Sequence, residues 1–163
     1  MTLKIEEIEV VSKEVLEKQG HHSPQIMFEL NGKINIGILK FENDIEKNLM
    51  MKSMRELIHK EKINSYVIIM EAWISTRHSD DTTPYIRPKL DPKRKECLIV
   101  SIYNRDMTTD IITNIFERDG KKIKWVDRQT NKELTESKSM WNFYLEDLSN
   151  KEFEEYFKKK LNK

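Results

Sequence analysis

The chain has 163 residues, 35% of them charged, and a net charge of only +1. That length fits one domain over residues 1–163, large enough to bury a core without disulfides or a metal. Lysines and glutamates interleave, which excludes a strongly basic body that would hold nucleic acid by its overall field.

Residues 3–19 repeat apolar side chains at helical spacing (Ile5, Ile8, Val11, Val15, Leu16), and Gly20 follows as a left-handed stop, so the chain opens with a helix. After His21-His22-Ser23-Pro24, the runs IMFEL and INIGILKF flank Asn31-Gly32, a strong two-residue hairpin signal. Asn43 with Glu46 forms a capping box and opens a helix to about Lys62 whose Leu49, Met50, Met54, Leu57 and Ile58 share a face.

The run Ile63 to Ser75 puts Tyr66, Ile68, Met70, Ala72 and Ile74 on one face and Val67, Ile69, Glu71 and Trp73 on the other. Apolar character on both faces marks a central strand. Residues 76–93 hold three prolines and read as a long loop. Glu96 to Asn104 returns as a strand. Thr108 to Arg118 and Lys121 to Asp127 read as a second hairpin turning on Asp119-Gly120, with Phe116 opposite Ile123 and Asn114 opposite Trp125. Met140 to Leu145 is an aromatic patch, either packed on the sheet or open to a partner. Ser149 with Glu152 then caps a last helix with the stripe Phe153, Tyr156, Phe157 and Leu161. The order implies an α+β fold: a mainly antiparallel sheet built from two hairpins plus a central strand, covered by two or three helices.

The single Cys97 lies in the apolar run Cys97-Leu98-Ile99-Val100, where a thiol behaves as a small hydrophobe and no intramolecular disulfide is possible. The opening MTLKIEEIEV lacks a continuous apolar stretch, and no segment has the length of a membrane span, so a cytoplasmic location is expected.

Glu71 is the leading candidate for chemistry. A lone carboxylate in an apolar strand beside Trp73 either finds a cation or serves as a general acid or base. Arg77, Arg87 and Arg94 are the nearby cations, and an ion pair with one of them near the Trp73 ring is expected. His22, at the junction of the first helix and first strand, is a candidate ligand-binding residue near Glu71. The stretch 87–95 gathers basic residues that, with Tyr85 and Trp73 as stacking surfaces, offer a possible nucleic-acid contact; the bland alternative is a solvated loop. The sequence contains no metal-ligand spacing, Gly-x-Ser-x-Gly elbow or phosphate loop, and Gly20, Gly32, Gly37 and Gly120 are each explained by local structure, so no cofactor or metal is expected.

Glu71-Ala72-Trp73, a proline-containing loop, and Arg94-Lys95-Glu96 before the strand from Cys97 together resemble a group of small uncharacterised prokaryotic and phage proteins. Their shared pattern is a Glu-Ala-Trp strand, prolines and an Arg-x-Glu strand start. The resemblance covers the middle third of the chain, implies a microbial or phage-type protein, and groups Glu71, Trp73, Arg94 and Glu96 in one cluster without implying an activity. The leading expectation is a non-enzymatic interaction or accessory protein, with a protein partner or a homodimer as its complexes. Two alternatives stand: a small hydrolase-like or ligand-binding protein using Glu71 with the loop arginines, and nucleic-acid binding through 87–95, the less favoured partner.

Overall fold

The structure is a computed structural model that describes residues 3–74, 90, 92–134 and 143–144, with no description of the side chains of 132–134. The elements are α1 (Ile5–Gln19), β1 (Gln25–Leu30), β2 (Lys33–Ile38), α2 (Asp44–Lys60), β3 (Ser65–Ile74), β4 (Lys95–Asn104), β5 (Thr108–Asp119) and β6 (Lys122–Leu134). The strands form a six-stranded sheet in the order β2-β1-β3-β4-β5-β6, with every neighbouring pair antiparallel. The fold is α+β, as the alternation of element types implies.

Local signals account for most boundaries. Asn31 and Gly32 both take positive φ (53° and 72°), the conformation a two-residue turn of the I′ type requires. Asn43 Oδ1 accepts from the Glu46 N–H at 2.9 Å, and the Glu46 carboxylate accepts from the Glu42 N–H, completing a reciprocal cap on α2. Gly20 ends α1 at φ 77°.

The sheet is covered on both faces. On one, Ile5, Ile8 and Leu16 of α1 pack on Val67 and Ile69 of β3, Leu98, Val100 and Ile102 of β4, and Ile112 and Phe116 of β5. On the other, Met51 and Ile58 of α2 pack on Ile26, Phe28, Tyr66, Ile68 and Tyr103. Strand β3 thus has the two apolar faces expected of an interior strand.

Phe143 and Tyr144 belong to the second core. Phe143 is fully buried and stacks on Tyr66 at 5.4 Å, its N–H donating to the Tyr66 hydroxyl at 2.7 Å. Burial raises the Tyr66 pKa, so that phenol stays protonated. The Tyr144 hydroxyl donates to the Ile63 carbonyl. Of the aromatic patch, these two residues therefore pack on the sheet; residues 140–142, 145 and the C-terminal helix expected over 149–163 lie outside the described residues.

Three expectations change. The buried stripe of α1 is Ile5, Ile8, Glu9, Ser12 and Leu16, with Val11 exposed. The α2 face centres on Met51, Arg55 and Ile58, and Leu49 is turned to solvent. The second hairpin turns on Gly120-Lys121 rather than Asp119-Gly120, so Phe116 faces Trp125, Arg118 faces Ile123 and, beyond a bulge at Ile115/Phe116, Asn114 faces Arg128. Among the two central residues only Gly120 has positive φ (60°), the pattern of a II′ turn, which wants its glycine first.

Candidate functional site

The hydrogen-bonded register builds a charged cluster at one end of the α1 face. Trp73 on β3 lies opposite Glu96 on β4, and Glu96 lies opposite Phe116 on β5. Glu71 and Arg118, each two residues from this row, share the face because strand side chains alternate. Arg118 lays its guanidinium 5.3 Å from the Phe116 ring centroid and reaches back across β4.

All three nitrogens of that guanidinium are engaged. Nε donates to Glu96 at 3.0 and 3.2 Å, Nη2 to Glu71 Oε1 at 3.1 Å, and Nη1 to the Gly20 carbonyl at 2.7 Å. The other Glu71 oxygen accepts from the His22 backbone N–H at 3.0 Å. The carboxylate therefore ties β3 both to β5 and to the α1–β1 junction. His22 contributes its main chain to this contact; its imidazole is buried, with Nδ1 2.8 Å from the Ser23 carbonyl, to which it donates.

Arg94 stacks on Trp73 at 4.5 Å from its centroid, and the indole itself is 45% exposed. An open hollow of about 290 Å³ is lined by Glu71, Ala72, Trp73, Glu96 and Arg118. Its lining carries two carboxylates and the one guanidinium that they share, with Arg94 stacked on the Trp73 ring beside them.

Of the residues singled out in the sequence, Glu71, Trp73, Arg94 and Glu96 meet here, with the His22 backbone beside them. Arg77 and Arg87 lie outside the described residues. Among the described residues the cation on Glu71 is Arg118, which sequence proximity does not suggest, being 47 positions away. Strand pairing alone brings it there.

A second cluster on the same face escaped the sequence reading. Glu9 of α1 is buried; its Oε2 accepts from Asn114 Nδ2 at 2.7 Å and Arg128 Nε at 2.8 Å, and its Oε1 from Arg128 Nη2 at 2.9 Å. The Arg128 hydrogen bonds hold the Glu9 carboxyl below its usual pKa, and Asn114 adds to them against the opposing effect of burial. The available signal was position: Glu9 sits one turn beyond Ile5 and three residues before Ser12, inside the stripe.

Cys97 is buried in β4 with its thiol 3.5 Å from the Ala72 carbonyl; burial pushes its pKa up to about 11, so it is a protonated, unreactive thiol at neutral pH. Among the described residues no three His, Cys, Asp or Glu side chains are grouped as metal ligands, and no helix is long and apolar enough to cross a membrane.

An antiparallel six-stranded α+β protein with a hydrogen-bonded charged cluster at one sheet end is the class these observations define. The family model described as bacteriophage lambda protein ea47 matches residues 2–148, most of the chain, and the protein belongs to that family of phage proteins of unknown function. No curated protein and no solved structure matches.

Proposed function

We propose that this phage-type protein acts in the cytoplasm as a non-enzymatic interaction or accessory protein, meeting a protein partner through the surface around Trp73. The observation that carries this reading is the internal satisfaction of the Glu71 cluster. A general acid or base must offer an oxygen to the substrate's proton at hydrogen-bond distance. Both Glu71 oxygens already hold donors, and each Arg118 nitrogen holds an acceptor. The cluster acts as a clamp. Beside it stands a half-exposed indole bearing an arginine, the residue pair enriched at the anchoring centres of interfaces.

The hydrolase-like alternative loses ground on the same geometry, because the Arg118 and His22 contacts take one lone pair of each Glu71 oxygen and leave a substrate only the remaining one to approach. The test has two arms. A photo-cross-linking residue at position 73, used in infected cells, is expected to trap a discrete protein, and Trp73→Ala with Arg94→Ala is expected to abolish its copurification while leaving the circular dichroism melt unchanged. In parallel, the purified protein is assayed on ester, phosphoester, peptide and glycoside substrates. A turnover that Glu71→Gln abolishes in a folded protein overturns the reading.

A further inference from the structure

Strand β2 is one edge of the sheet, and its chemistry suits pairing with another strand. The Leu39 N–H donates to the Pro24 carbonyl, which fixes the phase of the β1–β2 ladder: Lys33, Asn35 and Gly37 direct their backbone groups to β1, and Ile34, Ile36 and Ile38 direct theirs outward. No described residue pairs with this outward row. The strand carries no proline, its register with β1 is unbroken by any bulge, and none of its outward-facing residues is charged, so among the described residues the usual guards of an edge are missing.

The side chains of the same three isoleucines lie on the α1 face, opposite Glu29, Met27 and Gln25 of β1. Helix α1 does not cover them all. It begins beside the β1–β2 turn, where Leu3 lines a hollow with Glu29, Leu30, Asn31 and Gly32, and ends beside β5 and β6, where Gly20 meets Arg118 and Glu17 meets Trp125. This diagonal leaves Ile36 59% and Ile38 62% exposed.

We infer that β2 pairs antiparallel with β2 of a second copy, about a twofold axis through Ile36, joining the two sheets into one. Three observations favour a second copy as the occupant. The outward residues are self-complementary: Ile36 faces Ile36 and Ile34 faces Ile38, so the isoleucines of both copies form one apolar stripe on one face, as an isologous contact demands. The charges also fit. In this register Lys33 falls opposite Leu39 and Lys40 opposite Gly32, with no like charges directly opposed. The other edge is a poor partner: β6 carries Lys122 and Lys124 near its turn, its ladder with β5 is bent by a bulge, and Lys33 at the start of β2 and Lys40 beyond its end would repel those lysines. The inference goes beyond the accessory-protein reading and is independent of it, since Trp73 lies on β3 and not on this edge.

The test uses the full chain. Size exclusion with light scattering across a concentration series is expected to show a dimer. Ile36→Pro removes only an N–H that points away from β1, and Ile36→Lys places two like charges on the axis; both are expected to lose the dimer and keep the circular dichroism spectrum. Ile36→Cys is expected to cross-link under mild oxidation, because directly opposed hydrogen-bonded residues in an antiparallel pair have Cα atoms about 5.5 Å apart, within disulfide reach. A chain that stays monomeric throughout overturns the inference, as does a dimer that survives both Ile36→Pro and Ile36→Lys, which would place the contact elsewhere. Larger assemblies broken by Ile36→Pro would overturn the twofold in favour of an open, head-to-tail contact.

Discussion

Glu9 and Glu71 lie under the same face of one sheet, and each meets an arginine from the β5–β6 hairpin, yet their surroundings differ. The Glu9 side chain is 8% exposed, clasped through both oxygens by Arg128 and backed by Asn114, itself buried. The Glu71 side chain is 27% exposed, shares Arg118 with Glu96, and borders an open hollow. A charge with three donors beneath a helix is costly to remove, because its partners are stranded away from water; a charge at a wet rim can be replaced by solvent. The carboxylate conspicuous in the sequence is therefore the weaker of the two structural joints, and the inconspicuous one fastens α1.

The contrast predicts a ranking. Glu9→Leu should be the most damaging of these changes, costing about 1–3 kcal/mol, because the buried Asn114 amide loses its acceptor. A chemical denaturation midpoint equal to that of the wild type would remove the contrast at its root. Its pH dependence sharpens the point. The Glu9 carboxyl is held below its ordinary value of 4.5, so its contribution is fully present above that pH and is lost as pH falls through the lowered folded value. The stability gap between wild type and Glu9→Gln should thus be constant near neutrality and close in acid, as urea titrations from neutral pH downward would show.

Arg118→Met should cost about 1 kcal/mol, reduced from a buried network's value because the side chain is 36% exposed. Arg118→Lys should not restore it, since an ammonium cannot span Glu96, Glu71 and the Gly20 carbonyl together. Full rescue by lysine would mean that charge alone matters at this site. Glu71→Gln should cost less, under about 1 kcal/mol, because an amide oxygen can still accept from the His22 N–H.

The two clusters also mark where sequence reasoning reached its end. Element order, the Asn31-Gly32 turn, the Asn43 cap and the two-faced β3 were legible because each depends on residues close together in the chain. The company kept by Glu71, Trp73, Arg94 and Glu96 was legible only through the resemblance of the middle of the chain to small phage proteins. Arg118 was not, because its place beside Glu71 depends on the registers of β3 with β4 and of β4 with β5, which no residues close together in the chain determine. Glu9 was hidden for a related reason. Hydropathy prefers Val11 as the buried residue, and only the strand-borne Asn114 and Arg128, more than a hundred positions away, make a glutamate the better fit.

The finest discrimination comes from salt. Exposed ion pairs are screened over a Debye length of about 10 Å at 0.1 M ionic strength and about 3 Å at 1 M, whereas buried pairs are screened far less. The Arg118 contacts with Glu71 and Glu96 border open solvent, so the stability difference between wild type and Arg118→Met should shrink as sodium chloride is raised. The difference for Glu9→Leu should shrink less, because Arg128 is 46% exposed and its share is screened while the buried Asn114 hydrogen bond to Glu9 has a neutral donor. Measuring both variants in parallel against wild type cancels the general effect of salt on hydrophobic burial. Equal salt sensitivity in the two would place both carboxylates in the same electrostatic environment and dissolve the distinction between them; a Glu71 cluster that ignores salt entirely would mean the hollow is closed in solution by something seated on Trp73.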